Sequence, residues 1–427
     1  MKITGIIAEY NPFHAGHEYQ LTYTREKLGA DFVIVAMSGD FVQRGAPALL
    51  PKHIRTEMAL HCGADLVLEL PVSAATASAE FFAAGGVSLL DGLGVVDTLC
   101  FGSEAGEIAS MQKLADILLN EPEEYKSRLQ NHLRSGLSYP SARSRALAEY
   151  CGCKQTLAKL LSSPNNILGL EYCKALKKLG SQIQPVTLLR SGSAYHDENS
   201  TPGEFPSATA IRQSIHQGLW KKENCFDGMI PAPAKRLLDE AVSTGAFVTE
   251  DDLSALLHYC LLSENLESLC AYLDMTESLA RRILKERNYF VDFRQFAGLL
   301  KTKDITQTRI QRALLHILLR IHDAPMGIST EISTETSAET HAEMCTGIPY
   351  ARVLGFRRSS APLLKEIKAH GHIPLITKIA DAPGLIDENG MKLLEETTYA
   401  SNVYESILCR KTGRGFIHEY EKRLVIL

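Results

Sequence analysis

The chain has 427 residues, 45% of them hydrophobic, which is enough to build real cores in two or three domains. A formal net charge of −5 excludes global electrostatic attraction to nucleic acid, so any such surface must be local. The ten cysteines are scattered, with neither a signal peptide nor a membrane-length apolar run, and this points to a reducing cytoplasm, away from export and membranes.

Ile3 to Ala8 is an apolar, β-branched run with the length of a buried parallel strand. Asn11-Pro12 ends it, because proline cannot continue a ladder and restricts the residue before it. His14-Ala15-Gly16-His17 then opens a helix through Leu28. A strand feeding a turn and a helix N-terminus presents free backbone N–H groups and a positive dipole end to an anion. Gly16 lets backbone approach a phosphate, and two imidazoles stand beside it. That set suits a transferring nucleotidyl phosphate and requires neither a base nor a metal cage. The plainer alternative is two surface histidines near a turn.

Residues 31–37 read as a second strand, 51–62 as a helix with Lys52, His53 and Arg55, 64–70 as a third strand, 78–90 as a helix and 95–101 as a fourth strand. This alternation predicts an α/β fold with a doubly wound parallel sheet. Ligands of such sheets bind outside the carboxyl ends of the strands at the switch point, which would gather His14, His17, Gly39, Asp40 and Gly102.

From 106 to 180 the chain reads as helical, with Ser163 as N-cap and Pro164 in the first position of a helix carrying Asn165 and Asn166. Cys151, Cys153 and Cys173 lack paired zinc-ligand spacing, so no metal is assigned. A strand at 184–189 ends in Arg190-Ser191-Gly192-Ser193, and a Pro/Gly/Ser-rich loop, 192–206, precedes Ser207-Ala208-Thr209-Ala210-Ile211-Arg212. Hydroxyls opening a helix, with an arginine one turn on, form a second anion-binding N-terminus.

A Gly/Pro-rich stretch from Trp220 to Pro233 suggests a boundary. The division expected is a catalytic domain over 1–222 and a mainly helical region over 223–427. Helices are expected at 234–244, 250–262, 266–273, 276–287, 292–301 and 306–321. Between 277 and 323 ten Lys/Arg face five Asp/Glu, with Tyr289 and Phe290 interleaved. This is a local basic surface suited to a phosphate backbone, with Arg281, Arg282, Arg309 and Arg312 as its candidates; a solvated helical face is the alternative. Residues 323–346 repeat Ser-Thr-Glu and read as a disordered loop. Beyond Tyr350, segments 352–356 and 374–378 suggest strand and turn elements with more basic residues.

With these segments assembled, the chain resembles the bacterial tRNA(Met) cytidine acetate ligases of the HxGH nucleotidyltransferase superfamily over nearly its full length. The resemblance rests on Glu9 through His17, on Met37-Ser38-Gly39-Asp40-Phe41-Val42-Gln43-Arg44-Gly45, Phe101-Gly102-Ser103-Glu104, Pro164-Asn165-Asn166-Ile167-Leu168-Gly169, Thr308-Arg309-Ile310-Gln311-Arg312 and Pro374-Leu375-Ile376-Thr377-Lys378. It implies activation of acetate with ATP to acetyl-adenylate, then acetylation of elongator tRNA(Met) on N4 of the wobble cytidine. No membrane and no obligate protein partner are implied.

The family's ATP site carries over onto Ile7, Ala8, Glu9, Tyr10, Asn11, Pro12, Phe13, His14, Ala15, Gly16, His17, Glu18, Tyr19 and Gln20, with Gly102, Asn165 and Arg190. His14 and His17 would be catalytic. Ser207, Thr209 and Arg212 would take the β- and γ-phosphates, with Mg2+ as an expected companion; Lys52 and Arg55 are weaker candidates for the triphosphate. The chain departs from the family pattern at Asp40, where Asn is expected, and at Ala46, where an acidic residue is expected. A carboxylate beside a triphosphate is unfavourable unless a metal or lysine offsets it. Two other readings share parts of this pattern: a small-molecule nucleotidyltransferase making a dinucleotide-like cofactor, and a non-catalytic nucleotide-gated RNA-binding module.

Overall fold

The computed structural model describes residues 1–137, 139–152, 160–161, 163–190, 207–220, 226, 228–303, 305–322 and 347–427. The Ser/Gly loop at 191–206, Cys153 and the segment 323–346 lie outside these residues. Ten strands are described: β1 Ile3–Ala8, β2 Phe32–Ser38, β3 Phe41–Val42, β4 Ala46–Pro47, β5 Leu66–Leu70, β6 Thr98–Ser103, β7 Gln184–Leu189, β8 Ala351–Phe356, β9 Leu375–Ile376 and β10 Val425–Ile426. Eight of them form one sheet in the order β10-β8-β5-β2-β1-β6-β7, with β9 also on β8, while β3 and β4 make a separate hairpin. Strands β5, β2, β1, β6 and β7 run parallel, and β8 joins β5 antiparallel.

The apolar runs form strands because both sheet faces are covered. Ile7, Leu68 and Phe101 pack with helices Ala79–Gly92, Ile108–Asn120 and Pro164–Leu179 on one face. Ile6, Val35 and Val67 pack with helices Ala15–Glu26, Lys52–His61, Ala208–His216 and Ala232–Thr244 on the other. Each buried Ile or Val side chain is worth about 1.5–3 kcal/mol. The doubly wound α/β expectation is met, with an antiparallel extension.

Residues on both sides of position 222 contribute to the sheet and to its two cores. Helix Ala232–Thr244 packs onto the sheet, and β8, β9 and β10 belong to it. Without β8, the hydrogen-bonding edge of β5 would stand open. A third core gathers Leu257, Phe296 and Leu314 around Tyr404 and Leu408.

The last two come from helix Glu388–Thr412, which the strand-and-turn expectation for the C-terminal region did not include. Its interior holds Thr397, Thr398, Ser401 and Asn402, weak helix formers that hide the pattern. Tertiary contacts hold them. Thr397 Oγ1 accepts from Val72 N (3.2 Å), Ser401 Oγ accepts from Lys52 Nζ (2.7 Å), and Tyr404 OH donates to Ala48 O (2.8 Å). This helix ties the sheet to the helical region.

Beneath it lies a buried cluster of charges. Lys52 Nζ stands 2.6 Å from Glu69, 2.8 Å from Glu419 and 3.7 Å from Asp40. Arg352 pairs with the second oxygen of Glu69 at 2.5 Å and also with Glu419. Asp40 also accepts the backbone N–H of Lys52 at 2.8 Å. A lysine therefore offsets the unexpected carboxylate, which turns inward rather than toward any ligand.

Replacing Arg352 by leucine leaves two buried carboxylates to share Lys52, and unfolding in denaturant should show a loss of about 3–5 kcal/mol. The cluster should also fail in acid. Burial raises the Glu419 carboxyl pKa, but Lys52, His53 and Arg352 outweigh burial and hold it well below the carboxylate range. Its stabilisation is therefore complete above an unfolded pKa of about 4 and lost progressively below it. Wild-type stability that stays flat down to pH 3 would contradict this.

Candidate active site

The chain lays β2 and β5 to one side of β1, then crosses to lay β6 and β7 on the other. The order reverses at β1 and β6, so their carboxyl ends frame the crevice such sheets use for ligands. Residues 9–17 hang over the end of β1. Tyr10 takes a left-handed backbone (φ 47°), and Asn11 Oδ1 accepts from Leu49 N at 2.7 Å. Arg55 donates to Glu9 O (2.6 Å), Ser38 O (3.0 Å), Leu50 O (2.9 Å) and Gly39 O. It thus staples the ends of β1 and β2. Lys52 and Arg55 were candidates for the triphosphate; both are wholly buried with their donors committed, and they build the floor of the site instead.

His14 caps helix Ala15–Glu26. Its Nδ1 accepts from Gly16 N (3.1 Å), while His17 Nδ1 accepts from His14 N (3.3 Å). Ala15 N donates to Met229 O (3.0 Å) and His17 N to His14 O (2.9 Å). The free N–H groups expected at this N-terminus are therefore already paired, because the histidines cap their own helix. What remains is better defined. The rings stack with centroids 3.8 Å apart, and the Tyr10 and Phe13 rings flank His17 at 4.8 and 5.4 Å.

Burial lowers the His14 pKa to about 3, helped by the positive charges of Arg190 and Arg212. Burial, His14 and Arg190 push His17 well below its ordinary value. Both rings are neutral near pH 7. With each Nδ1 accepting, the single proton sits on Nε2. The pair is thus two fixed N–H donors among cations.

The other expected residues assemble around it in two groups. At the end of β6, Glu104 accepts from Asn165 Nδ2 (2.7 Å) and Asn166 N (3.1 Å). Asn166 Oδ1 in turn accepts from Ala105 N (3.0 Å). Ser163 occupies the N-cap position without a side-chain bond, because Glu104 takes that role from another strand. Arg190 senses Glu104 as its nearby counter-charge. A Cβ on Gly102 would lie 3.1 Å from Arg190 Cγ, so the glycine admits the arginine stem.

In the second group, Ser207 Oγ caps its helix at Ala210 N (3.2 Å), and Arg212 donates to Asn11 O (2.6 Å) and Thr209 Oγ1 (3.1 Å). Burial and the charge of Arg44 make the Arg212 cation costly, with Glu9 and Glu250 partly offsetting them. An incoming anion relieves that strain.

Not every expected residue converges on the crevice. Ile7 packs into the core of the opposite face from helix Ala15–Glu26, Tyr19 is exposed, and Gln20 donates to Cys100 O (3.0 Å). Glu104 and Arg44 were missing from the expected site; each stood in a motif, but their roles depend on partners distant in sequence.

The four basic candidates lie on the helical region. Arg281 pairs with Glu277 (2.6 Å), Arg282 donates to Leu299 O (3.2 Å), and Arg309 and Arg312 both bond Asp274 (3.4 and 2.6 Å). The Arg312 backbone presses on Gly45, whose left-handed φ of 73° no side chain could share, since a Cβ there would fall 2.2 Å from Arg312 N. Among the described residues no three His, Cys, Asp or Glu side chains group to hold a metal.

The family model described as HIGH Nucleotidyl Transferase matches residues 1–415. A tRNA(Met) cytidine acetate ligase of Acetivibrio thermocellus is 37% identical, covering 97% of this chain and 98% of its own. One of Clostridium perfringens is 40% identical over 95% of each. The crystal structure of apo Thermotoga maritima TmcAL superposes with a TM-score of 0.88 at 30% identity, and the form bound with alpha-thio ATP with 0.86 at 29%, each covering 100% of both chains. Geometry, family model and full-length relatives agree: the chain belongs to the tRNA(Met) cytidine acetate ligase family of HIGH nucleotidyltransferases.

Proposed function

We propose that this protein activates acetate with ATP and passes the acetyl group to N4 of the wobble cytidine of elongator tRNA(Met), working in the cytoplasm. One observation carries the reading: two neutral imidazoles, each with an Nε2–H to donate, stand among Arg190 and Arg212 at the switch point of the sheet. Acetate is ionised at neutral pH and needs no general base. Its oxygen bonds the α-phosphorus while the bond to pyrophosphate breaks, and pyrophosphate leaves with the electron pair. The site's task is to align these groups and stabilise the developing charge.

His14 and His17 would donate to the α-phosphate and bridging oxygen, an act that neutral donors perform without proton transfer. Ser207, Thr209 and Arg212 would take the β- and γ-phosphates. Gly102, Asn165 and Arg190 would hold the nucleoside side. Among the described residues no side-chain cluster is grouped to hold a metal; a Mg2+ arriving with ATP would be held by the phosphates and would offset their charge.

In the second half-reaction the cytidine amino group, weakened by delocalisation into the ring, attacks the acetyl carbon. AMP leaves and the amino group loses a proton. The mixed anhydride survives only if water is excluded, and the base must be splayed out of the anticodon loop. Arg281, Arg282, Arg309 and Arg312 would hold the tRNA, and the contact of Arg312 with the hairpin joins that surface to the nucleotide site. A cofactor-making transferase would share the nucleotide chemistry but has no use for the basic helical region.

The first test is exchange of labelled pyrophosphate into ATP. It should require acetate and proceed without RNA, and label from acetate should then enter tRNA; exchange driven by a phosphate-bearing metabolite instead would favour the cofactor-making reading. His14→Ala should cost about 10²–10³-fold in exchange, while thermal stability falls only by the roughly 1 kcal/mol that loss of an N-cap costs, and intact exchange in that variant would refute the donor role.

A second test addresses protonation. In 15N-histidine-labelled protein, the resonances absent from the His14→Ala and His17→Ala variants should show the Nε2–H form. They should not titrate between pH 5 and 8, because the His14 pKa is lowered to about 3 and that of His17 lies well below normal. Titration near 6.5 would mean the rings are ordinary, exposed imidazoles.

A further inference from the structure

The basic C-terminal segment has a feature that the nucleotide site leaves unused. A cavity of about 270 Å³ opens between β8, β9 and residues 420–424, and His53, Arg352, Lys378, Tyr420, Lys422 and Arg423 are among its lining residues. Its position follows from strand direction. β8 runs antiparallel to β5, with Arg352 opposite Glu69 near the carboxyl end of β5, and Ile376 of β9 sits beside Arg352. The cavity therefore opens at the same sheet edge as His14 and His17. From β1 to β8 is three strand spacings, about 14 Å.

The charges of the lining divide into spent and unspent. Arg352 is committed to Glu69 and Glu419, and Lys422 to Glu405 at 3.0 Å. Lys378 and Arg423 are exposed and have no carboxylate partner among the described residues. His53 lies 3.6 Å from Glu419 and helps to hold that carboxylate ionised, so it belongs with the spent groups. Glu421 is the acidic member of the lining. Tyr420 leaves 46% of its surface exposed and Phe416 nearby 50%, although a soluble protein gains by burying such rings. Two unspent cations and an exposed aromatic ring are the elements that bind a single-stranded nucleotide through its phosphate and its base.

We propose that this cavity holds a nucleotide from a single-stranded part of the tRNA substrate, its phosphate between Lys378 and Arg423 and its base against Tyr420. The inference rests on the tRNA reading above and adds to it a second point of attachment, on the same edge as the nucleotide site and apart from the helical region's arginines. A separation of three strands lets one short unpaired stretch reach the cavity while the cytidine occupies the crevice.

The test uses the full-length protein with Lys378→Ala, Arg423→Ala, Tyr420→Ala and the conservative Lys378→Arg. An unmodified tRNA(Met) transcript is titrated by filter binding from 50 to 200 mM salt, and acetate-dependent pyrophosphate exchange is followed without RNA. Each alanine replacing a cation should lower the slope of log affinity against log salt by about 0.7–0.9. Tyr420→Ala should weaken binding about fivefold or more, and Lys378→Arg should restore the slope. Exchange should stay within about twofold of wild type in all four, because none of these residues touches the nucleotide crevice. Unchanged tRNA affinity and slope in all three alanine variants would overturn the assignment. So would inorganic phosphate or AMP binding that depends on Lys378 and Arg423 while tRNA binding does not, since the cavity would then serve a free phosphate. Wild-type protein that exchanges but binds no tRNA would refute the functional reading itself, a result distinct from failure of the cavity alone.

Discussion

Lys52, Glu69, Arg352 and Glu419 form the interaction on which the rest of the structure depends. Each is nearly or wholly excluded from water, and burying four charges costs several kcal/mol apiece before pairing. Pairing offsets this only because the set is closed, with two cations facing two carboxylates and Asp40 held at the rim by Lys52. The members come from helix Lys52–His61, β5, β8 and residue 419, so the cluster cannot form until the C-terminal strands have joined the N-terminal sheet. The completed cluster therefore ties the N-terminal sheet to the chain's other end.

The same economy of charge governs the candidate site. Arg55 spends its guanidinium on backbone carbonyls at the ends of β1 and β2, which fixes the crevice without touching a ligand. Burial keeps both histidines neutral, helped by the positive charge of Arg190 at both rings and of Arg212 at His14. A site built this way is unfavourable when empty and relieved by a polyanion. It stabilises charge by preorganised donors, which suits a nucleophile already ionised in water.

Contact between the two surfaces accounts for the arrangement of the helical region. Gly45 in the β3–β4 hairpin admits the backbone of Arg312, and Gln43 N donates to Glu9 at 2.9 Å. The hairpin is thus clamped between the turn that carries the histidines and the helix that carries two of the basic candidates. Helix Glu388–Thr412 closes the arrangement from behind by bonding Val72, Lys52 and Ala48.

The sequence by itself determined the alternating strands and helices and the turn after β1. It also marked the two histidines and the hydroxyl-and-arginine helix start, because each of these is local. Apolar runs of strand length, proline at a turn and capping residues act through neighbours a few positions away. Expected strands matched at 3–8 and 184–189 and shifted by up to three residues elsewhere. Only the tertiary structure decided the rest. It withdrew the first-turn N–H groups from ligand duty, turned Asp40 inward to Lys52 and made Lys52 and Arg55 structural. It bonded Glu104 to the start of a helix 61 residues onward, carried β8 and β10 into the sheet and drew a 25-residue helix through a run of weak helix formers. Apart from the histidines' capping of their own helix and the Asp40–Lys52 contact, each of these depends on a partner far along the chain, and a buried charge or a weak helix former takes its conformation from that partner rather than from its neighbours in sequence.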